Sequence, residues 1–225
     1  FTLPSLLGSR KDFEATYDDT NEDASKLAPV VAPILMRRRV AEVAADLPAR
    51  IDIPQAISMS PRMARLYEEV RLGIVKSHGK SATLVALSKL RQFCSHPSLL
   101  DIPWGDPADE MPKYRRLVEI LEEVFERREK ALVFTSFVGM ADILLQDIPR
   151  RFPEAFHGVI DGRLAVSERQ HLVDRFSAYN GYGFLALNPK AAGVGLNITA
   201  ANHVIHYNPE WNPALQDQAS ARSYR

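Results

Sequence analysis

The sequence predicts an α/β fold: a parallel sheet sandwiched by helices, preceded by a helical segment. Three observations predict it. Short apolar runs at 131–135, 155–160, 183–188 and 203–207 have strand length. Amphipathic helical patterns of 10–15 residues separate the first three, and such connections join parallel strands. The chain has 225 residues, 46% hydrophobic and 25% charged, enough for one sizeable core or two small ones.

The elements follow in order. The segment from Asp12 to Lys26 is acidic and polar and reads as an exposed connection. Leu47-Pro48 and Ile53-Pro54 interrupt any helix nearby. Ser60-Pro61 then supplies an N-cap and a proline at the first helical position, followed by Met63, Leu66, Tyr67, Val70 and Ile74 at helical spacing. A second helix carries Leu84, Leu87, Leu90 and Cys94. Prolines and acids between Asp101 and Pro112 mark a boundary.

Beyond it, Tyr114, Leu117, Val118, Leu121, Val124 and Phe125 form one apolar helix face, and Phe137, Ala141, Leu144 and Ile148 the next. Ser167 to Gln170 has the pattern of a capping box, with Leu172, Val173 and Phe176 below it. A last helix, capped by Asn212 with Pro213 at its first position, carries Gln218, Arg222 and Arg225 at i, i+4 and i+7, hence on one face.

Composition excludes several classes. Lys+Arg and Asp+Glu both number 28, so nucleic-acid contact requires a local patch rather than a global basic field. The single cysteine, Cys94, forbids an internal disulfide and fits a reducing compartment. No run of about eighteen apolar residues exists to span a membrane. The chain starts at Phe1 and reads as part of a longer protein. Cys94 and His96 lack companions at zinc spacing and read as structural, so no metal site is expected. Gly73 to Ser81 places five residues between the glycines where a phosphate loop has four, and it follows an amphipathic helix instead of a strand. It reads as a helix-to-helix turn. Asp109-Glu110 lacks the preceding apolar strand of an Mg²⁺-holding motif.

Six segments, in order, resemble the Swi/Snf family of DNA-dependent ATPases in helicase superfamily II. They are Phe1 to Ser9, Pro33 to Val40 with Asp46-Leu47-Pro48, Leu87-Ser88-Lys89-Leu90-Arg91-Gln92-Phe93-Cys94-Ser95-His96-Pro97, Ala131 to Phe137, Ile160-Asp161-Gly162, and the stretch from Phe184 to Arg225. The resemblance implies that the α/β part is a second RecA-like lobe. It divides the chain into residues 1–60, the end of a first lobe and the inter-lobe crossing; 61–110, a helical insertion; and 111–225, the second lobe up to the sixth motif.

What it implies about residues is specific. Arg222 and Arg225 would be arginine fingers on the γ-phosphate of ATP, with Gln218 beside them; such a finger is worth about 10³–10⁵ in rate. Gly193 and Gly195, with Lys190 and Asn197, belong to a loop that touches nucleotide and DNA backbone. Asn188-Pro189 stands where Ser-Thr is usual and Ala192 where Gly is usual, which puts DNA coupling there in question. Ser136 and Arg163, at strand ends, would contact DNA phosphates, for which the local alternative is turn capping, with Asp161 paired to Arg169. Trp211 would face DNA, or else cover the sheet end. Arg37, Arg38 and Arg39 form a basic run near the crossing. ATP and Mg²⁺ would be gripped mainly by a first lobe not contained in these residues, double-stranded DNA would be the partner, and the protein would act as a monomer. The competing readings are a non-catalytic nucleic-acid or protein-interaction domain derived from that lobe, and an independent phosphate-loop enzyme built on Gly79-Lys80-Ser81.

Overall fold

Strand β1 (Lys130–Phe134) and strand β3 (Gly183–Leu187) are buried along their whole length, as their uninterrupted apolar sequences require. Such strands need cover on both faces, which is the situation of an interior strand in a parallel sheet. A computed structural model, describing residues 6–18, 20–34, 51–79, 82–108, 110–192 and 196–221, shows this arrangement. With β2 (Phe156–Ile160) and β4 (His203–His206), the sheet has four strands in the order β2-β3-β1-β4, all pairs parallel. Lys130 pairs with Gly183 and Phe134 with Leu187. The less buried β2 and β4 form the edges.

Alternation along β1 divides the core into two layers. Ala131 and Val133 face one layer with Tyr114, Leu117 and Leu121 of α5 (Pro112–Glu126) and Met140, Leu144 and Ile148 of α6 (Val138–Arg151). Leu132 and Phe134 face the other, with Val173 and Phe176 of α7 (Val166–Ala178) and with Leu196 and Ile198. Each large side chain buried this way contributes about 1.5–3 kcal/mol relative to exposure. At the start of β3, a Cβ on Gly183 would meet the Phe156 backbone, so the close approach of β2 and β3 requires glycine there.

The N-terminal ends of the strands are secured by a buried lysine. Lys130 Nζ donates to the carbonyls of Phe176 (2.7 Å), Ser177 (3.2 Å) and Tyr179 (2.7 Å), satisfying orphan acceptors at the end of α7.

The helical hairpin consists of α3 (Pro61–His78), capped by Ser60, and α4 (Ala82–Ser95), with a 3₁₀ turn at Pro97–Leu100. It packs on the α5 side through Met63 and Phe93, with Tyr67 edge-on to Phe93. The turn expected after Gly73 occurs at Gly79, whose φ of +50° closes α3; Lys80 and Ser81 lie outside the described residues. Glu110 pairs with Arg62 at 3.2 Å, and Asp109 lies outside the described residues.

The chain divides into two compact units, Phe1–Ala49 and Arg50–Arg225. Within the first unit, the stretch read as an exposed connection is exposed but contains two helices, α1 (Arg10–Thr16) and α2 (Asn21–Val31). Caps make them: Ser9 and Asp12 form a reciprocal capping box, and Thr20 accepts from Asp23 N. Arg37, Arg38 and Arg39 lie outside the described residues. A second correction concerns α7. Its N-cap is Ala165, not Ser167, and no side chain caps it. Instead the buried Arg169 guanidinium holds the carbonyls of Leu164, Ala191 and Asp161, and the helix starts two residues earlier.

Beneath the hairpin, Lys113 lines a cavity of about 160 Å³ with Met59, Met63, Cys94 and Met111, and its ammonium lies 4.4 Å from the Tyr207 ring centroid. Burial lowers its pKa from 10.5 to about 8, with neighbouring Cys94 opposing and Arg91 reinforcing the shift. Between about 8 and 10.5 the unfolded chain holds more protons, so this group adds stability as pH rises through that window and removes it as pH falls. Lys113→Met is therefore expected to stabilise the protein at pH 7.5 by about 2 kcal/mol, at 1.36 kcal/mol per unit and with the ring contact offsetting part. The gain over wild type should shrink at pH 9.5. Urea unfolding at the two pH values measures it, and an equal difference at both would refute the assignment.

Candidate functional site at the carboxyl edge of the sheet

Ligands of open α/β sheets collect beyond the carboxyl ends of the strands. Here the strand order places four expected contact residues or their loops in a row: Arg163 after β2, Lys190 after β3, Ser136 after β1 and Trp211 after β4. Three strand spacings separate the outer two loops, about 14 Å.

After β1, Thr135 is buried and donates its hydroxyl to Asn208 Oδ1 at 2.7 Å. Ser136 Oγ donates to Glu210 Oε1 at 2.6 Å. The carbonyl of Ser136 accepts from Asn188 Nδ2 at 3.3 Å, and Asn188 Oδ1 accepts from the backbone N–H of Lys190 at 3.0 Å. Asn188 thus caps the short helix α8 (Pro189–Ala192), with Pro189 at its first position. The Asn-Pro departure retains a side-chain oxygen at the cap. Lys190 is exposed beside it, and Asn197 is exposed after the loop.

After β2, Arg163 is not an open cation. Its guanidinium reaches Asp142 at 2.7 and 3.2 Å and Asp161 at 2.8 and 3.0 Å. Asp142 first, then Asp161, raises the arginine's pKa. Burial alone pushes the Asp161 carboxyl up, but bonds from the Arg163 side chain and backbone outweigh it, and its pKa falls below the ordinary value. The alternative pairing of Asp161 with Arg169 is not formed, because Arg169 spends its donors on the three carbonyls described above.

After β4, Trp211 is 70% exposed, so it does not plug the sheet end; the Arg91 guanidinium lies 5.3 Å from its ring centroid. Asn212 Oδ1 accepts from Ala214 N at 3.0 Å and caps α9 (Pro213–Ser220) as its sequence predicts. Ala219 and Ser220 are buried, His206 Nε2 lies 2.8 Å from Ser220 Oγ, and Gln218 is exposed. Arg222, Arg225, Gly193 and Gly195 lie outside the described residues.

Hydrogen bonds join Ser136, Asn188, Lys190 and Glu210 into one group, while Arg163 belongs to a separate acidic cluster on the β2 edge. Sequence reasoning missed Asp142, Glu210, Asn208 and Arg91. Glu210 had a local signal, following a strand beside Trp211; Arg91 bonds Pro209 and Asn208 meets Ser95, each across more than a hundred residues, and neither had one.

Comparison with known proteins agrees with this architecture. Residues 112–225 match the family model of the helicase conserved C-terminal domain, and residues 1–99 that of the SNF2-related domain. The putative ATP-dependent helicase/translocase YwqA of Bacillus subtilis is 33% identical over 242 residues, covering all of this chain and 26% of the relative. The DNA repair and recombination protein RAD54 of Saccharomyces cerevisiae is 27% identical, covering all of this chain and 30% of the relative. The chain thus spans about a quarter of the length of such relatives. Among solved structures, the Sulfolobus solfataricus SWI2/SNF2 ATPase core in complex with dsDNA aligns at a TM-score of 0.65 and 29% identity, over 99% of this chain and 49% of that one. The C-terminal domain of the same ATPase aligns at 0.59 and 31%, over 69% and 71%. The strand order, the capped terminal helix and these matches lead to one assignment: the chain belongs to the Swi/Snf family of helicases, and its parallel sheet is the family's C-terminal lobe.

Proposed function

We propose that this chain works as the second lobe of an ATP-driven translocase on double-stranded DNA, with residues 61–110 as its helical insertion and residues 1–60 as the end of a first lobe and the crossing. The observation that carries the reading is the row Arg163, Lys190, Ser136, Trp211 along the carboxyl edge. At 3.4 Å of helical rise per residue of one strand, about 14 Å corresponds to about four nucleotides. Contacts of this kind position a duplex without reading its sequence.

ATP would lie between this lobe and the first, with Arg222 and Arg225 reaching the γ-phosphate and Gln218 beside them. Glycines 193 and 195 would let the loop backbone approach the nucleotide. The carboxylates that the structure describes at this edge, Asp142, Asp161 and Glu210, are engaged by Arg163 and Ser136. They do not make a Mg²⁺ cradle, so the first lobe would supply the acids for it. Closing the lobes assembles the catalytic group, and reopening moves the duplex by a step.

The same carboxylates shape DNA contact. Ser136 must leave Glu210, and Arg163 must share its two aspartates, before either meets a phosphate oxygen. Lys190 and Trp211 are exposed as they stand, so first contact falls to them.

The alternative, a non-catalytic binding domain, draws on the departures at Asn188-Pro189 and Ala192. Retention of the α8 cap by Asn188 favours the motor reading. The isolated chain is expected to hydrolyse no ATP with or without duplex DNA, whereas the full-length protein should show DNA-stimulated phosphate release. Turnover by the isolated chain that Lys80→Ala abolishes would overturn the division of labour. A full-length protein silent with duplex DNA would support the binding domain instead.

A further inference from the structure

The last turn of α4 grips the connection between β4 and α9 almost residue by residue. Tyr207 donates its hydroxyl to the Ser95 carbonyl at 2.7 Å, and Ser95 Oγ lies 3.4 Å from Asn208 Oδ1, which also accepts from Thr135. Arg91 Nη2 donates to the Pro209 carbonyl at 3.0 Å, and the same guanidinium sits over Trp211. Glu210, the one residue of this run without a partner on α4 among these bonds, is held by Ser136. Arg91 and Ser95 are spaced i, i+4, so one helix face supplies every α4 contact.

This pattern exceeds what packing requires. Tyr207 and Asn208 are buried, and core contacts alone would fix them. Pro209 and Trp211 lie further out, and there Arg91 supplies both a directed bond to a carbonyl and a cation over a ring that is 70% exposed. The connection itself is stiff, since Pro209 and Pro213 each fix one backbone dihedral. A displacement of α4 must therefore be carried to Trp211 and to the start of α9.

We propose that Arg91 is a positioning residue, supported by Ser95, through which the helical hairpin sets the placement of Trp211 and α9. The inference rests on the proposed reading that Arg222 and Arg225, which follow α9 in the sequence, face the nucleotide. It adds that the hairpin is part of the machinery that aligns them, and that strain on the hairpin is felt at the nucleotide.

The test uses the full-length protein. Arg91→Ala should lower DNA-stimulated kcat by about 10-fold to 100-fold, the scale of a small misplacement of catalytic groups, while KM for ATP changes less than about 2-fold. Arg91→Lys keeps a cation near the ring and one donor for the carbonyl, and should recover most of the loss. A fluorotryptophan placed at 211 by codon suppression should show a shifted ¹⁹F resonance in Arg91→Ala that returns towards the parent position in Arg91→Lys. Ser95→Ala, which leaves the backbone acceptor for Tyr207 in place, should give a smaller kcat loss of the same kind. Arg222→Ala is measured alongside. Loss of turnover in Arg222→Ala with parent rates in Arg91→Ala and Ser95→Ala would overturn the linkage and leave the finger reading intact. Parent rates in all three would overturn the finger reading itself. If Arg91→Ala does not fold, Arg91→Lys and Ser95→Ala decide: parent rates with an unmoved resonance in both refute the proposal.

Discussion

Replacing Arg222 or Arg225 with alanine in the full-length protein is expected to reduce ATP hydrolysis by about 10³-fold or more while leaving ATP affinity within a few-fold. The helix that precedes them is firmly set. Asn212 caps α9, Pro213 occupies its first position, and Ala219, Ser220 and His206 anchor it to the sheet. Gln218 emerges on its exposed side, and the i, i+4, i+7 spacing of Gln218, Arg222 and Arg225 predicts the two arginines on that face; both lie outside the described residues. A guanidinium delivered across a cleft acts on charge that develops in the transition state, more than on bound ATP. The loss should therefore fall on kcat. Steady-state kinetics with duplex DNA, together with equilibrium binding of a fluorescent ATP analogue, separate the two quantities. Unchanged turnover in both variants would refute the finger assignment, and loss of binding with unchanged kcat would make these residues mere nucleotide grips.

The fold was legible where local signals and burial agree. The apolar runs of β1 and β3 announced two-sided cover, and Ser60-Pro61 and Asn212-Pro213 announced helix starts that the structure keeps. It was misread where they part. Helices α1 and α2 have no buried residue, so no apolar stripe betrayed them; only the capping oxygens of Ser9 and Thr20 did. The Ser167 box had the right letters, but Arg169 spends its guanidinium on three carbonyls and sets a different start. At the site, Ser136 and Arg163 were legible as strand-end residues, because position after a strand is local. Their partners were not. Glu210 lies 74 residues from Ser136, and Asp142 lies 21 from Arg163. Asp161 chose Arg163 over Arg169 because a residue two positions away can offer both its backbone N–H and its guanidinium to one carboxylate.

The largest expected loss of stability comes from Asp147, a carboxylate 6% exposed at the foot of α6. It accepts from the Tyr114 hydroxyl at 2.8 Å and from Arg151 Nε at 2.7 Å. Asp147→Ala leaves both donors behind, and their fates differ. Arg151 is partly exposed and already bonds Asp106 at 2.6 Å, so it can turn outward. Tyr114 has no exposed surface and sits in the core against the sheet, so its hydroxyl stays unsatisfied. The expected cost is about 2–4 kcal/mol, the lower part of the range for breaking a buried pair combined with one orphaned buried donor. Asp147→Asn keeps an acceptor for Tyr114 and should lose less than half as much. Tyr114→Phe removes the donor, so adding it to Asp147→Ala should cost little further, making the double variant less destabilised than the sum of the singles. Urea unfolding of the parent and the four variants measures all of this. An Asp147→Ala value within about 0.5 kcal/mol of the parent, the scatter of ordinary surface changes, would mean that water reaches Tyr114 and that this corner of the core is not dry.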